Sequence, residues 1–176
     1  MPDWHLLTIA NLVPRKRIDL CVEAGKRISA QKNIEWTVVG KGPLEQQLNL
    51  AQYPFVRWIQ RVPSLVEEYD KATVFVLPSE GEGFGMVYIE SILCGCPAIC
   101  RAGGAGEEII RETGGGLAVD LNDEKTAPEQ LEKAIFQIAA ERDKYMNREV
   151  LQRALHFADR DRLKHKWSAV VRELIK

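Results

Sequence analysis

The 176-residue chain lacks the features that mark several large classes of protein. No apolar run approaches the roughly 18 residues that span a membrane, and we expect no signal peptide ahead of Trp4. The net charge is only −1, from 24 basic and 25 acidic residues. No general electrostatic field is therefore available to gather nucleic acid or an anionic membrane. These absences predict a cytoplasmic protein that binds no nucleic acid.

Side chains that bind metals or form catalytic triads are also scarce. The three histidines, His5, His156 and His165, are scattered, and we interpret each as a surface or packing residue. Four cysteines lie in apolar surroundings, and none has a histidine at ligand spacing. A metal or redox site and reduced core thiols are both open interpretations, and the apolar surroundings favour core thiols. These side chains therefore disfavour a metal site.

Short apolar runs alternate with helical periodicity as far as Asp120. The composition, 45% apolar and 28% charged, is typical of a globular domain. Strands are predicted over 4–10, 34–39, 55–59, 73–77, 97–100 and 116–119. Helices are predicted over 16–30, 44–52, from Ser64, from Met86, and over 106–111, 126–140, 142–157 and 161–175. Alternation of this kind predicts an α/β fold with a doubly wound, Rossmann-like parallel sheet of about six strands. We expect one domain, with a core over 4–120 and C-terminal helices over 126–176.

The stretch 74–90, VFVLPSEGEGFGMVYIE, carries the strongest functional signal. It predicts a buried strand, a glycine-spaced loop and the start of a helix, and ten of the thirteen glycines fall between 81 and 116. A helix N-terminus after such a loop binds anions through its free amides and its dipole. Glu82 and Glu90 bracket the loop with seven residues between them. Glu90 would lie roughly 7 Å along the helix from Gly85, a distance that matches the reach from a diphosphate to a ribose.

Several motifs also resemble those of a known family. EGFGMVYIE, CGCP and GGAGE, in this order, are similar to the donor-binding, C-terminal half of retaining GT-B glycosyltransferases, most closely glycosyltransferase family 4 (glycosyl transferases group 1). The resemblance extends over roughly residues 6–120. It implies transfer of a sugar from a nucleotide diphosphate sugar to an acceptor hydroxyl, with retention and without a required metal.

The resemblance assigns roles to particular residues. Glu82 would face the donor sugar near the reacting carbon, Lys16 would neutralise the leaving diphosphate, and Glu90 would bind the ribose. The other residues implied in donor binding are Gly83, Phe84, Gly85, Met86, Val87, Asn11, Arg17, Gly40, Gly42, Arg61, Gly104 and Glu107. Ordinary structural roles stay open for several of them, including a solvated helix carboxylate for Glu90, a first-turn helix lysine for Lys16 and a packing anchor for Phe84.

The region around Lys16 departs from the family pattern. The family usually places an arginine five residues before this lysine and a glycine after it, whereas this chain has Asn11 and Arg17. Either Arg15 or Arg17 supplies the missing positive charge, or the diphosphate is stabilised less strongly. The sequence alone leaves these alternatives open.

Nothing after Asp120 suggests a second domain that would position an acceptor. The resemblance therefore implies an N-terminal GT-B partner domain, in cis or as a separate chain, beside the nucleotide-sugar donor. Peripheral contact of the full enzyme with the cytoplasmic membrane face is a further expectation; the basic residues of 160–176 are interpreted here as a solvated helix face. A non-catalytic nucleotide or sugar-phosphate binding module is the alternative. A dinucleotide-binding oxidoreductase is disfavoured because ANLVPRK stands where GxGxxG would follow the first strand.

Overall fold

The computed structural model describes residues 2–159, and its centre is a sheet of six parallel strands. The strand order is β3-β2-β1-β4-β5-β6, which is the doubly wound order with its switch point between β1 and β4. Leu6 of β1 pairs with Trp36 of β2 on one side and Val74 of β4 on the other. The predicted Rossmann-like sheet is confirmed. The strands are β1 Trp4–Ile9, β2 Ile34–Val39, β3 Val56–Ile59, β4 Val74–Leu77, β5 Ala98–Arg101 and β6 Gly116–Val119.

Helices connect the strands and cover the sheet. They are α1 Ile18–Ser29, α2 Glu45–Leu48, α3 Leu65–Lys71, α4 Met86–Leu93, α5 Ala105–Thr113, α6 Ala127–Ala140, α7 Arg142–Tyr145 and α8 Arg148–Ala158. α1 packs against α6, whereas α4 and α5 pack against α8. Because crossovers between parallel strands are almost always right-handed, this strand order predicts that the two groups of helices lie on opposite faces of the sheet. The helix predicted over 161–175 and the basic residues of 160–176 lie outside the described residues.

The central strands are apolar because both of their faces are covered. All four residues of β4 are fully buried, so this strand reads as a continuous apolar run rather than as an alternating one. Phe75 of β4 makes edge-to-face contacts with Tyr69 of α3 and Tyr88 of α4, at 5.7 and 5.8 Å between ring centroids. The Tyr88 hydroxyl donates to the Leu77 carbonyl at 2.8 Å. This bond fixes the start of α4 to the end of β4.

Three predicted helices differ from the structure at their boundaries. The helix predicted over 16–30 begins only at Ile18, because Arg17 adopts a left-handed conformation after a 3-10 turn. The helix predicted over 44–52 is interrupted at Asn49, which is also left-handed. The helix predicted over 142–157 is divided into α7 and α8. The division lies at Asn147, whose side chain accepts hydrogen bonds from two backbone amides and caps the start of α8. The predicted N-cap of α3 is confirmed, since the Ser64 side chain accepts from the Glu67 amide.

All four cysteines are free thiols. Burial raises the pKa of Cys21 and Cys100 to about 12 and that of Cys96 to about 11. Over residues 2–159 no group of three His, Cys, Asp or Glu side chains converges as a metal site would require. No helix in the same range is long and apolar enough to cross a bilayer.

Alkaline pH is expected to destabilise the fold through the three buried thiols. In the unfolded chain each thiol ionises near about pH 8.5, whereas in the folded chain it ionises near pH 11 or 12. The folded state therefore binds more protons above about pH 8.5, and the free energy of unfolding falls as the pH rises toward 12. Urea unfolding between pH 8 and pH 11 measures this slope. A Cys21→Ala, Cys96→Ala, Cys100→Ala variant should show a shallower slope, and an unchanged slope would contradict the assignment.

Gly40 allows two loops to cross at the end of the sheet. Its φ is +145°, and an added Cβ would overlap the Ala10 carbonyl oxygen. The Ala10 amide donates to the Val39 carbonyl at 3.0 Å, and the Leu12 amide donates to the Lys41 carbonyl at 3.0 Å. These bonds hold the loop after β1 against the loop after β2.

Gly40→Ala is expected to lower the free energy of unfolding by about 2 kcal/mol or more, because the strained φ and the collision both act on the folded state. Gly83→Ala is the matched control. It adds a methyl group where no atom lies within 4 Å, and its effect should stay within about 0.5 kcal/mol. Urea unfolding of both variants decides the point; equal losses of stability would refute this role of Gly40.

Candidate functional site

A cavity of about 560 Å³ opens at the carboxyl ends of the strands. It lies at the switch point between β1 and β4, where ligands bind in doubly wound sheets. The loops after β1, β2, β3 and β4 all contribute to its wall. The lining residues are Ile9, Ala10, Asn11, Arg15, Lys16, Val39, Gly40, Gln60, Arg61, Val62, Leu65, Glu82, Phe84, Gly85, Met86 and Val87.

The N-terminus of α4 forms one wall of this cavity. Gly85 precedes the helix in a left-handed conformation, with φ 64°, which glycine adopts without steric cost. No side chain of the described residues caps this helix end, and Met86 and Val87 of the first turn line the cavity. The unpaired amides and the helix dipole therefore face an open space that suits an anion.

A short turn after β1 brings two cations to the same cavity. Arg15 and Lys16 lie in the 3-10 turn Pro14–Lys16, and both line the cavity. Lys16 Nζ donates to Glu82 Oε1 in an ion pair whose side chains are only 10% and 15% exposed. The structure thus places the two predicted catalytic residues in direct contact. It also shows that Lys16 precedes α1 and is not in its first turn.

Backbone bonds hold this turn against the loop after β4. The Glu80 amide donates to the Arg15 carbonyl at 2.7 Å, and the Ser79 hydroxyl donates to the same carbonyl at 3.1 Å. Arg15 Nη1 returns a bond to the Gly81 carbonyl. We refer to these contacts between residues 14–17 and 79–82 as the loop clasp. It sets the position of Glu82 relative to Lys16.

Arg17 is the last residue of the first segment of the loop clasp and does not line the cavity. Its guanidinium is 10% exposed and forms ion pairs with Asp19 at 2.9 Å, Glu80 at 2.9 Å and Glu124 at 2.8 Å. Hydrogen bonds from Arg17 to Asp19, and then to Glu124 and Glu80, raise the pKa of Arg17 above its usual value. Three carboxylates therefore neutralise the charge of Arg17, whereas the charge of Arg15 stays at the cavity wall.

Other predicted site residues lie at different distances from the cavity. Arg61 and Gly40 line it, and so does Phe84, whose 73% exposure excludes a core packing role. Glu90 does not line it but lies farther along α4, where burial and then the charge of Glu90 raise the pKa of Tyr69. Gly42 does not line the cavity either; it packs against the backbone of Leu12.

A second, smaller cavity of about 30 Å³ adjoins Glu82. Gly104 lines it, at the N-terminus of α5. The Glu107 side chain accepts from the Gly103 amide at 2.6 Å and so stabilises this loop. Arg101 also lines the small cavity, and its Nη2 is buried without a partner among the described residues. Our sequence predictions did not include Arg101. The feature that could have indicated it is a charged residue at the carboxyl end of a buried strand.

Comparison with known proteins identifies the family. The sequence profile described as Glycosyl transferases group 1 matches residues 4–140. The chain belongs to this family. It is 30% identical over 142 residues to an uncharacterized glycosyltransferase of Methanocaldococcus jannaschii, with 75% of this chain and 37% of that protein covered. It is 28% identical over 172 residues to the capsular polysaccharide biosynthesis glycosyltransferase CapM of Staphylococcus aureus, with 93% and 42% covered. The chain thus spans about two fifths of the length of these relatives.

Solved structures share the fold of this group 1 chain. The pneumococcal O-GlcNAc transferase GtfA, crystallised in complex with UDP and GlcNAc, matches with a TM-score of 0.76 and 22% identity, covering 98% of this chain and 36% of GtfA. The Anabaena protein HepE, in complex with UDP and glucose, matches with a TM-score of 0.76 and 15% identity, covering 97% and 48%. These are GT-B glycosyltransferases, so the predicted GT-B relationship of the sheet is confirmed.

Proposed function

We propose that this chain is the C-terminal half of a retaining glycosyltransferase of family 4 and binds its nucleotide diphosphate sugar. One observation carries the proposal: in a group 1 chain, a cationic turn and an uncapped helix N-terminus line one cavity. Arg15, Lys16 and the first turn of α4 converge on an anion from two sides. A diphosphate is an anion of the size and charge that such a site stabilises.

The remaining residues fit around a diphosphate seated there. Arg15 takes the role that the family gives to an arginine at the position of Asn11, because Arg17 is held by carboxylates outside the cavity. Arg61 contacts the base, and Glu90 is assigned to the ribose, beyond the described wall of the cavity. The backbone of residues 83–87 and the loop of Gly104 and Glu107 surround the sugar.

The chemistry assigned to this half is stabilisation of the leaving diphosphate. Lys16 and the α4 amides neutralise the charge that develops as the bond to the sugar breaks, and Glu82 faces the donor sugar. The reaction uses no metal or cofactor. The acceptor hydroxyl is supplied from an N-terminal GT-B domain, in cis or as a separate chain. We place the full enzyme in the cytoplasm or at the cytoplasmic face of a membrane.

A second candidate is a binding module that holds a nucleotide or a sugar phosphate without transferring a sugar. Holding two substrates in one geometry can lower a transfer barrier by roughly 7–11 kcal/mol, and the site proposed on this chain holds one substrate, the donor. The two candidates therefore predict the same binding by this chain and differ once a partner domain is added.

Calorimetric titration of the chain with UDP, GDP, ADP and NAD tests donor binding. We expect one of the nucleoside diphosphates to bind and Glu90→Gln to weaken that binding by about 1.5–3 kcal/mol, the range of a hydrogen bond to a charged group. Glu112→Gln is the matched control; Glu112 lies in α5 away from the main cavity, and its variant should bind normally. Incubation with the matching nucleotide sugar should give at most slow donor hydrolysis.

Addition of an N-terminal domain from a relative then separates the candidates. Transfer to an acceptor on addition supports the half-enzyme, and nucleotide binding without transfer supports the binding module. Multiple-turnover transfer by the chain alone, or NAD binding in place of a nucleoside diphosphate, contradicts the proposal.

A further inference from the structure

The ion pair between Lys16 and Glu82 lies in the wall of the main cavity, where the proposed function seats a diphosphate. Both side chains line the main cavity, and both are nearly buried in the pair. The charged residues of the lining are Arg15, Lys16, Arg61 and Glu82. Glu82 is thus the single carboxylate in the described lining, and it is bound to the cation that the proposed function assigns to the diphosphate.

A diphosphate cannot join this pair without changing it. It would bring two or more negative charges close to the Glu82 carboxylate, and like charges within 4–6 Å repel strongly in a partly buried site. The Lys16 ammonium is a compact charge with three N–H donors, so the competition arises from the repulsion between the two anions and not from a shortage of donors. The diphosphate and Glu82 therefore compete for Lys16.

The loop that carries Glu82 is hydrogen-bonded from Ser79 to Gly81 and has open space around both glycines that flank Glu82. Ser79 and Glu80 are bound to the Arg15 carbonyl. Gly81 and Gly83 lie on either side of Glu82, and a Cβ added to either glycine would meet no atom within 4 Å. Glu82 also lines the smaller cavity beside the N-terminus of α5, so its carboxylate has a second place to go without movement of the loop clasp.

We propose that Lys16 exchanges partners when the donor binds: the diphosphate takes the ammonium, and the Glu82 carboxylate is released toward the smaller cavity. This inference rests on the proposed function. It means that the carboxylate assigned to the donor sugar is neutralised in the free protein and becomes available only after a diphosphate has arrived. Lys16 and Glu82 then act in sequence at one site.

Binding measurements on charge variants test the exchange. Glu82→Gln removes the competitor, so UDP, GDP or ADP, whichever the wild-type chain binds, should bind about tenfold more tightly, the equivalent of one charged hydrogen bond. Glu82→Ala serves the same purpose if the glutamine variant does not fold. Glu112→Gln is the matched control, because it removes the same charge from a side chain that lines neither of the two cavities. Its affinity should change by no more than about twofold.

A double-mutant cycle separates competition from a general charge effect. When Lys16→Met is also present, the gain from Glu82→Gln should disappear, since no ammonium remains to be released. Unchanged or weaker diphosphate binding by folded Glu82→Gln protein overturns the exchange, and so does a gain that persists with Lys16→Met. Absence of binding by every variant, the wild-type chain included, overturns the proposed function and the exchange with it.

Discussion

The loop clasp between residues 14–17 and 79–82 is the contact on which the candidate site depends. These segments follow β1 and β4, which are neighbours in the sheet although they lie far apart in the sequence. The Arg15 carbonyl receives bonds from both Ser79 and Glu80. Because these bonds involve the backbone, they fix the two loops whatever the cavity contains, and the charged side chains remain available for exchange. A rigid frame of this kind places Lys16 within reach of the α4 N-terminus.

The sheet supplies the other half of this frame. β4 is buried on both faces, and Tyr88 joins its last carbonyl to the first turn of α4. The same ring contacts Phe75 and would be crowded by any side chain at position 106. The helix N-terminus that faces the cavity is therefore positioned by core packing. Apolar packing beneath the site thus fixes the position of the helix N-terminus that is proposed to bind the anion.

Much of the fold was predictable because it rests on local signals. Runs such as Val74–Leu77 are apolar throughout, and their alternation with helical periodicity indicates a parallel sheet. Helix boundaries were less predictable: Arg17 and Asn49 carry no glycine signal, yet both adopt left-handed conformations that interrupt the chain. The tertiary surroundings hold Arg17 there, since three carboxylates from separate segments bind its guanidinium.

The candidate site was predictable in composition and less so in its pairings. The sequence predicted an anion site from the spacing of the glycines and from the position of Lys16. In the structure Gly85 and Lys16 both line the main cavity. The ion pair of Lys16 with Glu82 joins residues 66 positions apart, and no local pattern encodes such a contact. Whether Arg15 or Arg17 replaces the arginine missing at Asn11 was likewise not predictable, because it depends on which guanidinium forms ion pairs with the nearby carboxylates. Glu90 lies beyond the cavity wall because it is one turn, roughly 6 Å, farther along α4 than Met86.

The central claim is that a nucleoside diphosphate binds between the turn 14–17 and the N-terminus of α4. Amide chemical shifts of the ¹⁵N-labelled chain, followed during titration with UDP, GDP and ADP, test it most directly. The account predicts that the largest shifts fall on Lys16, Met86 and Val87, with smaller shifts at Gly40 and Arg61. Shifts concentrated at the opposite edge of the sheet, around Glu35 and Arg57, would contradict it.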